Sequence, residues 1–143
     1  MKKIIVFLML LAGNFARADA NTIKYGRDLC EKVTFRNPAR RACENWVIDN
    51  SDENVYSVAL NICVGFNEGP SARSSSCFYR ASQWIDNQEI KDQADLCVAR
   101  NGNYNPRAEC LQELFVRKNM EVTQASQQNQ SQKAQEKKAR AVR

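Results

Sequence analysis

Histidine is absent from all 143 residues of the chain. This absence excludes Ser/His/Asp and Cys/His nucleophile systems and histidine-ligated metals, and it removes the commonest catalytic base near neutral pH. Cysteine is present, but no two cysteines are separated by only two residues, so the usual spacing of a thiolate zinc site is missing as well. We expect neither a metal nor another cofactor, and we favour a protein that is not an enzyme.

Long apolar runs are also scarce. One run, over residues 4–12, follows two lysines and precedes the small-residue sequence Ala18-Asp19-Ala20. This order is typical of a cleaved export signal, and the run is shorter than the roughly 20 apolar residues of a membrane-spanning helix. We therefore predict a signal peptide over residues 1–20, no transmembrane segment after cleavage, and export to the periplasm or the outside of a bacterial cell. The alternative is a buried N-terminal helix.

The cysteines, by contrast, are regularly spaced. They form three pairs with internal separations of 13, 14 and 13 residues, and successive pairs begin 33 and 34 residues apart. A proline and an arginine precede the second cysteine of each pair, so one unit is used three times. The period is similar in length to that of tetratricopeptide repeats, but their internal pattern is absent and we assign no family. The pairs are Cys30 and Cys43, Cys63 and Cys77, and Cys97 and Cys110.

Helical periodicity dominates the region from 21 to 120. Apolar residues recur three and four positions apart, and no stretch alternates long enough to predict a strand. Asn37 followed by Pro38 predicts a helix N-cap and first turn, and Ser51 or Asp52 is the expected cap of the next unit. We predict an all-α domain of three antiparallel helical hairpins, stacked as a short solenoid-like repeat without a sheet.

The cysteine spacing supports the same hairpins. Residues 13 apart in one continuous helix lie about 20 Å apart, whereas a disulfide requires a Cα separation of about 4.4 to 6.8 Å. A turn between the two cysteines removes this conflict. We therefore predict one disulfide across each hairpin, joining Cys30 to Cys43, Cys63 to Cys77, and Cys97 to Cys110, although the sequence alone leaves other connectivities open.

The composition changes after Met120. Residues 21–120 contain 13 basic and 13 acidic residues, whereas residues 121–143 contain five basic and two acidic residues, six glutamines and neither glycine nor proline. Such a segment cannot bury an apolar face, although its residues favour helix formation. We predict a polar, basic, Gln-rich tail outside the core, either disordered or a lone helix.

Arginines recur just after the turn prolines, at Arg40, Arg73 and Arg107. Hairpins stacked in register would align them along one edge, which would suit an anionic partner. The alternative, which we favour, is that each arginine packs over its own hairpin or pairs with a local carboxylate. The carboxylates concerned are Glu44, Glu68 and Glu109.

A carboxylate pair is the remaining catalytic option, because two such groups suffice for a glycosidase. Acidic residues near helix N-termini more often offset the helix dipole. We likewise assign Trp46 and Trp84 to the core instead of a ligand site. The acidic candidates are Glu44, Glu53, Glu68 and Glu109.

Three functions follow. We favour an exported, non-catalytic binding protein whose partner is a protein, a peptide or an anionic envelope component, since stacked hairpins create concave faces. The alternatives are a carboxylate-based hydrolase of envelope polysaccharide and a secreted cationic effector or toxin whose tail steers it to anionic surfaces. Five cations spread over 23 residues are few for nucleic acid, which we do not expect as a partner.

Overall fold

The computed structural model describes residues 20–66 and 71–142, and within these residues all regular structure is helical. The all-α prediction is confirmed. The predicted signal peptide and the turn that contains Glu68 lie outside the described residues, apart from Ala20. None of the described helices is both long and apolar enough to cross a membrane. The helices are α1 (Ala20–Val33), α2 (Asn37–Asp49), α3 (Val55–Gly65), α4 (Ala72–Trp84), α5 (Gln88–Arg100) and α6 (Tyr104–Ala141).

Two helix starts differ from the sequence prediction. Asn37 is the first residue of α2 and not its cap, because Arg36 is the last residue with extended backbone. The cap of α3 is Asn54, and not Ser51 or Asp52: its side-chain oxygen accepts hydrogen bonds from two backbone amides of the first turn, each at 3.0 Å. An amide oxygen held at this position satisfies donors that the helix itself leaves unpaired.

Helices α3 and α4 lie at the centre of the packing. Helix α1 packs against both of them and against α2, while α6 packs against both of them and against α5. Each predicted hairpin is thus present as a pair of contacting helices. The regular stacking of the three hairpins stays a prediction.

The core is rich in aromatic and branched side chains. The Phe78 and Phe115 rings meet with centroids 5.3 Å apart, and Tyr56 approaches Phe115 edge-on at 6.0 Å. Burial of each such side chain contributes about 1.5 to 3 kcal/mol. The largest fully buried side chains are Phe78, Phe115, Leu29, Ile62, Ile90 and Leu111.

Helices α1 and α2 approach each other closely at Gly26. A Cβ atom on Gly26 would lie 2.5 Å from Cγ1 of Val47, a distance at which one of the two must move. Only glycine therefore permits this approach without rearrangement.

The predicted disulfides are confirmed, and no cysteine is free. The Cα atoms of the bonded cysteines are 5.7, 5.6 and 5.7 Å apart, within the normal range. Five of the six cysteines are buried, and Cys110 is half-buried. The bonds join Cys30 to Cys43, Cys63 to Cys77, and Cys97 to Cys110.

Helix α6 is 38 residues long, or about 57 Å at 1.5 Å per residue. It continues without a break past Met120, so the described part of the tail is helical to Ala141. Its buried residues end at Phe115, and beyond Met120 only the half-buried Val122 packs against the core. The rest of the tail helix is exposed.

Candidate binding surface

Two of the arginines of the predicted anion-binding edge contact the region around the end of α1. Arg40 pairs with Glu44 at 3.1 Å and with Glu31 at 3.4 Å. The guanidinium carbon of Arg73 lies 4.0 Å from the centre of the Phe35 ring. Both cations therefore have partners within the chain, and Glu44 is one of the carboxylates that the sequence suggested.

The third arginine engages the loop of its own hairpin. Arg107 Nε donates a hydrogen bond to the backbone carbonyl of Asn101, and its guanidinium lies 5.7 Å from the centre of the Tyr104 ring. No contact among the described residues joins Arg107 to Arg40 or Arg73. The structure thus shows three locally engaged arginines, and their action as one edge stays a prediction.

The candidate carboxylates occupy separate elements. Glu44 faces Arg40, while Glu53 accepts a hydrogen bond from the Ser57 hydroxyl. Glu109 lies on α6, and Glu68 lies outside the described residues. No described contact brings two of these carboxylates together, and no group of three Asp, Glu or Cys residues in 20–66 and 71–142 is placed to hold a metal.

The two tryptophans are half-buried at the edge of the core. Trp84 meets Tyr25 edge-on at 5.9 Å, and its ring faces Lys24 Nζ at 5.6 Å. The Tyr25 hydroxyl is buried and has no hydrogen-bond partner in the described part of the chain. Burial is the main cause that raises the pKa of Tyr25, and the nearby Tyr56 raises it further. The hydroxyl therefore stays protonated.

A groove of about 540 Å³ runs between α5 and α6. The Cys97–Cys110 disulfide lies in it and fixes the separation of the two helices. Leu96 contributes an exposed apolar side chain. We call this depression the α5–α6 groove; its lining residues are Glu89, Gln93, Leu96, Cys97, Arg100, Cys110, Glu113, Leu114 and Arg117.

Polar contacts connect the two helices at this groove. Arg117 donates a hydrogen bond to the Gln93 side chain, and Lys118 Nζ lies 3.2 Å from a carboxylate oxygen of Glu89. Hydrogen bonds to Glu121 and Glu89 raise the pKa of Lys118. Because Glu89 and Glu121 are largely exposed, we assign these ion pairs an orienting role more than a large stabilising one.

The outer face of α6 adjoins the groove and shares Glu113 and Arg117 with it. It exposes Val116 and Met120, of which 40% and 56% are accessible. We call the groove and this face together the α5–α6 surface. The outer face consists of Glu109, Gln112, Glu113, Val116, Arg117, Met120, Glu121 and Gln124.

Sequence reasoning did not identify this surface. Its signal is present, however, in Leu96 and Val116, because both apolar residues lie off the faces that helical periodicity assigns to the core. Apolar residues outside a predicted core stripe indicate a binding patch only where the fold brings them together. No family model matches the chain, and neither a curated protein nor a solved structure shows significant similarity to it.

Proposed function

We propose that this is an exported, non-catalytic binding protein that takes a segment of a protein or peptide partner on the α5–α6 surface. The observation that carries the proposal is the exposure of three apolar side chains on adjoining surfaces: Leu96 in the disulfide-fixed groove, and Val116 and Met120 on the outer face of α6. Exposed apolar groups rimmed by polar ones mark interaction sites in soluble proteins.

The chemistry of the surface suits a peptide with apolar anchors and charged flanks. Leu96, Val116 and Met120 would contact the anchors, while Arg100 and Glu113 lie within the same surface and would face polar groups of the partner. Interfaces typically combine such an apolar centre with a polar rim. The adaptable thioether chain of Met120 adds tolerance for partner shape.

The Cys97–Cys110 bond supports this proposal because it holds α5 and α6 together before a partner arrives. Binding to a preformed groove avoids part of the entropy cost of ordering it. The third hairpin would form one end of the proposed stack, which leaves its outward surface accessible.

The compartment in this proposal is the periplasm or the exterior. Three disulfides persist best in an oxidising environment, and the predicted export signal leads to one. With all thiols bonded and histidine absent, the described side chains supply few groups for nucleophilic chemistry.

The test is site-specific photocrosslinking in exporting cells. A photoreactive amino acid replaces Leu96 in one variant and Ile48 on α2 in another, a matched control because 47% and 51% of these residues are accessible. We expect a discrete adduct at position 96 and none at 48. Met120→Lys, which places a charge beside the groove, should reduce the adduct about tenfold. Equal adducts at the two positions, or an adduct unaffected by Met120→Lys, would contradict the proposal.

A further inference from the structure

The exposed end of α6 carries cations on a defined side. Lys133, Lys137 and Arg140 each follow a body-facing residue by 18 positions, which is five turns at about 3.6 residues per turn. The three therefore lie on the side of α6 that faces the body. The corresponding body-facing residues are Phe115 in the core, Asn119 hydrogen-bonded to Asn54, and the half-buried Val122.

We call these three residues the basic stripe. They span about 10 Å along the helix, and all three are exposed. No ion pair among the described residues engages any of them, whereas Arg80 in the body pairs with Asp28 at 2.9 Å. The three cations of the stripe are therefore available to an external anion.

Compensation of the helix dipole explains only part of this arrangement. Lys138 and Arg140 lie in the last turn of α6, where cations offset the partial negative charge of the C-terminus. Lys133 lies about two turns earlier, beyond the reach of that effect. Lys138 lies roughly 140° from Lys133 around the axis, on another side.

The position of the stripe favours a flexible anionic chain over a flat anionic membrane as its partner. A flat lipid bilayer could not lie along all three cations, because the body occupies the same side of α6 and would meet the bilayer first. The tail also has too few large apolar residues to insert into a membrane. A flexible linear chain avoids both restrictions, since it can lie under the tail beside the body.

We propose that the basic stripe binds a linear anionic polysaccharide, with Lys133 and Lys137 as point charges and Arg140 as a bidentate donor to carboxylate or phosphate groups. Asp52 and Glu53, which line the depression where the tail leaves the body, bound the site at its body end. Glu136 lies within the span of the stripe, between Lys133 and Lys137, and lowers its net positive charge. The polymer therefore contacts α6 from Lys133 outward, on the side of the helix that faces the body.

This site lies apart from the α5–α6 surface. The outer-face residues Val116 and Met120 lie roughly 100° and 140° around the helix axis from Lys133. Both surfaces can be occupied together, so the proposal does not depend on the proposed function. Loss of polymer binding should leave the Leu96 photoadduct unchanged.

The experiment measures binding of fluorescently labelled alginate, a carboxylate-bearing polysaccharide, to the exported protein as a function of salt. We expect K133Q/K137Q/R140Q to weaken binding at least tenfold at about 0.15 M salt. The slope of log K against log salt should fall by about 2, at roughly 0.7 per lost contact. The control R27Q/K32Q/R41Q removes the same net charge from exposed positions on α1 and α2 and should retain the wild-type slope.

Two further variants test the placement of the charges. Q135K/K137Q keeps the composition but moves one cation off the stripe, so its slope should fall by about 0.7, a third of the fall in K133Q/K137Q/R140Q. Glu136→Gln removes the flanking acid and should strengthen binding.

Four outcomes would overturn the proposal. The first is that K133Q/K137Q/R140Q binds alginate as tightly as the wild type, and the second is that the control R27Q/K32Q/R41Q loses as much affinity as that variant. The third is that Q135K/K137Q keeps the wild-type affinity. The fourth is that the protein binds phosphatidylglycerol vesicles or single-stranded DNA in preference to alginate.

Discussion

The two parts of α6 are helical for different reasons. From Tyr104 to Met120 the helix buries apolar side chains against α3, α4 and α5, whereas from Glu121 to Ala141 nearly every side chain is exposed. A helix that forms in isolation must first overcome an unfavourable nucleation step. The tail continues a helix whose first turns are already fixed by packing, so it needs no nucleation of its own. Tertiary structure stabilises the first part, and sequence propensity extends the second.

The two parts also differ in net charge. Some cations of the body, namely Arg40, Arg80 and Lys118, pair with carboxylates. No described ion pair engages the cations of the basic stripe in the tail. Residues 21–120 are neutral overall, while residues 121–143 carry three more basic than acidic residues. The basic excess of the tail, with three cations aligned on one side of α6, is why the tail, and not the arginine edge, carries our anion-binding proposal.

The largest expected effect is the loss of stability when a buried side chain of α6 is truncated, compared with an exposed one. Phe115→Ala should lower the free energy of unfolding by about 3 to 5 kcal/mol, because it empties a fully buried site against Phe78 and Tyr56. Met120→Ala, five residues later and 56% accessible, should change it by no more than about 0.5 kcal/mol. Urea unfolding with the disulfides intact measures both. Comparable losses would show that α6 is packed equally along its length.

A smaller effect tests how closely the body is packed. Gly26→Ala should cost about 1 to 3 kcal/mol, since the added Cβ would lie 2.5 Å from Val47. Gly65→Ala is the matched control, because a Cβ there meets nothing within 4 Å, and it should be neutral or slightly stabilising. Thermal unfolding of both variants, with Gly26→Ala/Val47→Ala as a relief variant, checks this. A neutral Gly26→Ala would indicate a loose α1–α2 contact.

Tyr25 gives a prediction that depends on pH. Tyr25→Phe should raise stability at neutral pH by about 1 kcal/mol, because it removes a buried hydroxyl without a described partner. Burial raises the pKa of Tyr25 in the folded state, so above about pH 10 only the unfolded chain loses this proton. Above about pH 10, the free energy of unfolding of the wild type should therefore fall by up to about 1.4 kcal/mol more per pH unit than that of Tyr25→Phe. Parallel stability curves between neutral and alkaline pH would contradict a buried, protonated Tyr25.

The smallest expected effect comes from removing the tail. A chain that ends after Ser126 keeps the half-buried Val122 and should unfold within about 0.5 kcal/mol of the full chain. Its helical circular dichroism signal should fall in proportion to the residues removed. A larger loss of stability would mean that the exposed part of α6 contacts the body or another molecule.

The sequence predicted the helical class and the disulfide pairing because both depend on local spacing. Residues 13 or 14 apart can be bonded only across a turn, so Cys30 and Cys43 imply a hairpin without knowledge of its surroundings. Helix starts were predicted less well: the cap of α3 is Asn54, two residues after Asp52, because several polar residues in one loop have similar capping preferences.

The candidate site could be predicted only in part. The basic excess of the tail is visible in its composition, but its placement on the body-facing side depends on a continuous α6. The α5–α6 surface depends on which side of each helix the core leaves uncovered, and that follows from contacts between α5, α6 and α4. Periodicity places Leu96 and Val116 off the core faces, but only those contacts show that the two residues belong to one surface.

The sequence by itself determined the helical class and the division into a neutral body and a basic tail, and it favoured one disulfide across each hairpin, because periodicity, charge and cysteine spacing act over neighbouring residues. Only the tertiary structure decided that Arg40, Arg73 and Arg107 have internal partners, that Val47 packs closely against Gly26, and which side of α6 faces the body. These features depend on which helix faces meet, and that is a property of packing between segments distant in the chain.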